Sequence, residues 1–231
     1  MTTTDSRQDT TANARRHSPE RDAPLDATFD ALSNRQCRDL LRHLVESDDD
    51  AFLVADLATQ LTDETDSETA ETRMLARLHH THLPKLADAG LVSYDPDRGL
   101  VQYRPESRFE AMVPTIESFE SADYPVSLDA LLDLFADHRR RTAYVTLLGH
   151  DDLSLPDLAD EVAVAEYGQP LPDIEPDDVL QVYLSLYHTH VPKLGAAGLV
   201  EYDQADDYVR LTDAGWTLES PFRSLCDPAD D

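Results

Sequence analysis

Four histidines fall at matched places in the chain, His80 and His82, then His188 and His190, with His79 beside the first pair. Imidazoles gathered this way are the raw material of a zinc site, which needs three or four convergent ligands. The spacing argues against one. Positions i and i+2 point to different sides of a helix, whereas helical chelation uses i and i+4. The cysteines, Cys37 and Cys226, fit neither a metal spacing nor a disulfide framework, as expected of inert thiols in a reducing cytoplasm. His82 and His190 therefore read as core imidazoles donating hydrogen bonds to backbone. The outward face of the same segment offers a different chemistry. Arg73, Arg77, His80 and Thr81 share it, and Gln181, Ser185, His188 and Thr189 hold the matching positions. A helix with such a face can enter the major groove of duplex DNA, where Arg reads guanine and Gln reads adenine. Arg98, in a turn further on, is placed to touch phosphate or the minor groove. The bland alternative is that these arginines only balance charge locally.

The positioning elements are written twice. Residues 78–95, LHHTHLPKLADAGLVSYD, return at 186–203 as LYHTHVPKLGAAGLVEYD, identical at 13 of 18 positions and displaced by 108. That period fits two small domains in tandem and is too long for a solenoid. In copy one Leu75, Leu78, His79, His82, Leu86 and Ala89 line one helical face; in copy two Tyr183, Leu186, Tyr187, His190, Leu194 and Ala197 do. Gly90 and Gly198 sit where a helix stop needs positive φ. Leu91-Val92 opens a strand, 95–99 (Asp-Pro-Asp-Arg-Gly) is a turn and 100–103 returns, with the same pattern over 199–211. Helix, glycine stop and β-hairpin form the back half of a winged helix-turn-helix. The fold class expected is mainly α with small β-hairpin wings, as two tandem winged helix-turn-helix domains.

In chain order, residues 1–27 have almost nothing to bury and read as a disordered arm. Domain 1 spans 28–106. Its first helix carries Phe29, Leu32, Leu40, Leu41, Leu44 and Val45, and its second covers 54–61. An acidic loop follows at 62–68, and Ser67 or Thr69 caps a long third helix. Pro84 inside that helix removes a backbone donor, so a kink or looser turn is expected near His80. A connector, 107–126, holds Phe109, Met112, Val113 and Ile116, but its prolines argue against a long uninterrupted helix. Domain 2 spans 127–213, with helices expected at 128–149, 155–162 and 177–197 and a loop at 163–176. The tail, 214–231, closes the chain with a short helix. Arg139, Arg140 and Arg141, the densest basic spot, lie in helix one, largely scaffold in this fold, where phosphate contact and dimer or inter-domain ion pairing both stay open as their role.

These residues also carry a resemblance. Asp56-Leu57-Ala58, followed by His82-Leu83-Pro84-Lys85-Leu86-Ala87-Asp88-Ala89-Gly90-Leu91-Val92, resembles the helix-two and helix-three signature of ArsR-type winged-helix regulators. The His-Thr-His-x-Pro-Lys-Leu version is similar to a haloarchaeal winged-helix family of unassigned function. The resemblance covers both copies but not the arm, connector or tail. It implies a transcriptional regulator. The Cys-x-Cys metal-sensing pair of ArsR-type repressors is missing from helix three.

Composition narrows the setting. Forty-seven acids against 19 bases give a formal net charge of −28, and only Lys85 and Lys193 are lysines. Lysine avoidance with a pI near 4.4 suggests the cytoplasm of a halophilic archaeon, where at about 1 M salt a Debye length of roughly 3 Å mutes carboxylate repulsion. No apolar run is long enough to span a bilayer, and no signal peptide is evident. No nucleophile–base pair, phosphate loop or paired-carboxylate cleft stands out, so no enzyme, cofactor, metal or small-molecule ligand is expected. Two partners fit: duplex DNA, read mainly by copy one, or alternatively a protein, including a second copy of the chain.

Overall fold

The computed structural model describes residues 19–227 apart from 48, 63–67 and 151. Most of the expected arm, 1–18, and the Ser67 cap lie outside the described residues. The remainder of the arm is helical. Helix α1 (Pro19–Leu32) starts nine residues before the expected domain boundary and buries Leu25 and Phe29. The expected first helix is two helices, because Asn34 stops α1 and starts α2 (Arg35–Glu46). Its side-chain oxygen accepts from the backbone N–H of Gln36 (2.9 Å) and Cys37 (3.3 Å), satisfying donors that an uncapped helix leaves open. Val45, placed in the buried stripe from sequence, is half exposed.

A two-residue strand, β1 (Phe52–Leu53), leads into α3 (Val54–Gln60). The long third helix is α4 (Glu68–Arg77), one π turn (Leu78–His82) and α5 (Leu83–Asp88). The looser turn falls where Pro84 predicts it, since the missing N–H leaves the ladder to re-form with a wider ring. Thr69 lies inside α4 instead of capping it. Gly90 ends the helix at φ 76°, as Gly198 does at 73° in copy two. Strands β2 (Val92–Asp95) and β3 (Leu100–Tyr103) form the hairpin, and β1 adds antiparallel to β3, giving sheet order β1-β3-β2.

The connector folds as one 15-residue helix, α6 (Ser107–Ser121), despite Pro114. Phe109, Met112, Ile116 and Phe119 bury one face, while Pro114 and Glu110 lie on the exposed side. The carbonyl that Pro114 leaves without a partner can therefore be met by water, and burial outweighs the lost bond.

Copy two repeats the plan. Its expected first helix, 128–149, is again two, α7 (Leu128–Phe135) and α8 (His138–Leu148), parted by Asp137, which accepts from Arg140 N–H at 3.0 Å. Strand β4 (Leu153–Ser154) precedes α9 (Leu155–Tyr167), which runs five residues into the expected loop before Gly168 stops it at φ 63°. Then come α10 (Pro176–Ser185), a second π turn (Leu186–His190) and α11 (Val191–Ala196). Strands β5 (Val200–Asp203) and β6 (Tyr208–Leu211) complete a sheet of order β4-β6-β5. The chain closes with α12 (Asp213–Thr217) and α13 (Glu219–Cys226), where one short helix was expected.

The copies share one apolar core. They meet through equivalent parts: α1 packs on α7, and α6 on α13. Two ion pairs cross the seam reciprocally. Arg38 of copy one reaches Asp129 of copy two at 2.6 Å, and Arg141 of copy two reaches Asp26 of copy one at 2.5 Å. Each arginine also donates to a carbonyl six residues back, Leu32 O at 2.7 Å and Phe135 O at 2.6 Å. Both arginines and both aspartates are separated by the same 103 positions. Residue i meeting j while j meets i is the mark of an isologous interface, here inside one chain.

Candidate nucleic-acid interface

The third helix of copy one holds its outward side chains by burying the opposite face. Leu78, His82, Leu83 and Leu86 are buried. The wide turn brings His82 and Leu83, adjacent in sequence, into the core together. His82 has side-chain partners, not the backbone ones expected: Nδ1 stands 3.3 Å from Cys37 Sγ and Nε2 3.1 Å from Gln36 Oε1. Burial holds this imidazole below its ordinary pKa, with Arg77 and Lys85 adding to the effect. Burial also pushes the Cys37 thiol up to about 11, so it stays protonated at neutral pH. His190 is likewise buried and lowered, chiefly by burial, with Asp137 opposing from 3.5 Å. His80 and His188 are exposed, so each histidine pair is split between core and surface. Among the described residues no group of three His, Cys, Asp or Glu side chains converges as a metal site would.

Arg73, Arg77, His80 and Thr81 are all exposed along α4 and the π turn. Among the described residues, no ion pair or hydrogen bond holds the side chain of Arg73 or Arg77. Every other arginine from Arg35 onward has such a partner. Arg35 and Arg42 bond Asp39, Arg104 approaches Ser93, Arg108 donates to Cys226 O, Arg210 pairs with Glu201 and Arg223 with Glu219. Arg98 is exposed in the hairpin turn, with Asp95 of the same turn 3.7 Å away.

In copy two Gln181, His188 and Thr189 are exposed, but Ser185 is half buried and already used. It donates to Val182 O at 2.8 Å and accepts from Arg139 at 3.1 Å, while Arg139 makes a two-pronged bond to Glu166 (2.6 and 2.7 Å). The extra length of α9 carries Glu166 to this arginine. Arg140 is buried too, donating to Leu134 O and Asp133 O. The basic triplet is thus engaged within the protein: Arg139 by Glu166, Arg140 by backbone carbonyls, and Arg141 by the inter-domain ion pair with Asp26, one of the roles its sequence leaves open.

The sequence reading missed one feature of this face. Tyr187, assigned to the buried side, is 37% exposed, and Leu180 and Leu184 stand open beside it at 50% and 37%. In copy one the 108 offset puts Thr72, Ala76 and His79 at these places, and His79 leans on Tyr94 with Nδ1 2.5 Å from its hydroxyl. The alternation Leu-Gln-Val-Tyr-Leu-Ser-Leu-Tyr is apolar nearly all round, so periodicity alone could not say which apolar residues stay outside.

The architecture is that of a mainly helical protein in which two equivalent units each end in a three-stranded antiparallel sheet. The chain belongs to a family known by a domain of unknown function, DUF7344, whose profile matches residues 29–102 and again 132–210. No curated protein and no solved structure matches it. No described helix is long and apolar enough to cross a membrane.

Proposed function

We propose that the protein is a DNA-binding transcriptional regulator with two winged helix-turn-helix domains, copy one supplying the principal reading helix. The observation that carries this is the selective freedom of two guanidinium groups. In a chain with 47 acids, Arg73 and Arg77 stand one helical turn apart, exposed and unpaired among the described residues, while the other arginines from Arg35 on are engaged. Free guanidinium groups on a helix backed by a hairpin are the equipment for major-groove contact, and Arg98 in the hairpin turn lies where a wing meets backbone. Net repulsion at −28 opposes approach to a duplex, and high salt removes the counterion-release gain. Such a reader depends on shape, hydrogen bonds and a local positive face.

The reading is one of binding, not catalysis, in the cytoplasm of a halophile, and it calls for no cofactor. Immunoprecipitating the tagged protein from its own cells, with sequencing of the bound DNA, tests it. Discrete enriched sites sharing a short motif are expected; a flat profile counts against it. A protein-interaction role is the second reading, favoured by the apolar face of copy two.

A further inference from the structure

The third helix of copy two has the position of the copy-one reader but another surface. Leu180, Leu184 and Tyr187 follow i, i+4, i+7 spacing, so they form one stripe along α10 into the π turn, and all three are exposed. Tyr183 stacks on Tyr187 with ring centres 6.3 Å apart, and Tyr187 meets Tyr202 of β5 edge-on at 6.2 Å. These aromatic contacts fix the lower end of the stripe against the hairpin. A run of open leucine and tyrosine on a rigid helix is the kind of anchor set that docks an amphipathic helix.

The rim states the chemistry of the partner. Glu175 and Asp177 are exposed at the start of α10, and Asp203 and Asp206 are exposed in the hairpin. Four of the five basic residues of copy two are taken: Arg139 is bound to Glu166, Arg140 and Arg141 are buried, and Arg210 is held by Glu201; the fifth, Lys193, is exposed in α11, beyond the π turn. An apolar stripe between two acidic margins is complementary to apolar residues flanked by lysine or arginine. We propose that this face of copy two docks a basic amphipathic helix of another protein, leaving copy one's face for DNA. This does not require the DNA reading, because the observations lie wholly in copy two.

The test uses the full chain and a fluorescent 18-residue peptide helix with leucines at i, i+3, i+4, i+7 and lysines elsewhere, titrated in about 0.5 M KCl so that loose attraction to an acidic protein is screened. The same leucine pattern with glutamates, and the same composition with leucines scattered, serve as comparison peptides. The wild type is expected to bind the basic amphipathic peptide at least tenfold more tightly than either. Leu180→Ser with Leu184→Ser should abolish that preference while circular dichroism stays unchanged, since both side chains are exposed. Arg73→Ala with Arg77→Ala should leave it intact. Equal binding by the wild type and the leucine variant would overturn the proposal. So would a loss of duplex DNA binding in the leucine variant with peptide binding retained, which would make this a nucleic-acid face. Concentration-dependent self-association of the wild type, abolished in the variant, would name a second copy as the occupant and overturn it as well.

Discussion

His82 and His190 sit at equivalent places and are both buried below their ordinary pKa, yet their partners differ. A histidine whose folded value lies below its unfolded one binds fewer protons when folded. Its contribution is therefore complete above about pH 6.5 and lost as pH falls from there through the lower folded value. Denaturant unfolding at about pH 7.5 and about pH 5.5 should show the wild type losing stability toward acid, with a shallower loss in His82→Gln. A steeper loss in the variant would contradict the assignment. Gly215 gives a sterner test. A Cβ there would stand 2.3 Å from Leu199 O, a backbone atom that cannot swing away, and Tyr144 already donates to Gly215 O at 2.6 Å. Gly215→Ala should cost roughly 1–3 kcal/mol by overpacking, read from the urea midpoint. At Gly90, open space but φ 76° makes the penalty conformational, on the order of 1–2 kcal/mol for Gly90→Val. The two glycine stops were legible because the repeat shows them twice. Gly215 was not, since nothing local says that a carbonyl from another element will press on it.

At the scale of elements, the sequence spoke clearly where the backbone chemistry is local. Pro84 and its copy-two counterpart mark the π turns, and Asp-Pro-Asp-Arg-Gly marks the hairpin turn. It misled where a short cap competes with a long apolar stripe: Asn34 and Asp137 break helices whose hydrophobic pattern runs on through them. It misled again at Pro114, where tertiary burial of α6 overrides the local penalty. Of the reciprocal arginines, Arg141 belongs to the triplet for which inter-domain pairing was one open role, whereas Arg38 looks like a surface cation until the partner copy is in place. Both are nearly buried and each bonds a helix-ending carbonyl, so Arg38→Met and Arg141→Met should each cost about 1–3 kcal/mol by stranding that carbonyl, the partner aspartates being partly open to water. The isologous arrangement predicts similar costs for the two. Urea unfolding of both variants checks this, and a loss in one with none in the other would show that the seam is not symmetric in energy.

For the whole molecule, charge is the dominant fact. A net −28 spread over a two-copy core means strong self-repulsion at low ionic strength, screened as salt rises. The melting temperature should climb between dilute buffer and molar KCl; equal values would remove the argument for adaptation to high salt. The same excess of acid makes the placement of free cations informative. Over 28–107 copy one carries 16 acids and 8 bases, whereas over 128–213 copy two carries 18 and 5. The inequality was legible from sequence, and so were the exposed Arg73 and Arg77. That Ser185 is tied to Arg139 was not, because Glu166 lies in a helix extension that was expected to be loop. The most direct test is a mobility-shift titration at matched salt on duplex recovered from the protein's own binding sites. It compares the wild type with Arg73→Ala/Arg77→Ala and with Gln181→Ala/His188→Ala, which leaves the Ser185 network untouched. The account predicts a loss of about 1–3 kcal/mol per base contact in the copy-one variant and a smaller loss in the other. A larger loss from the copy-two variant, or no duplex binding by the wild type at any salt, would contradict it.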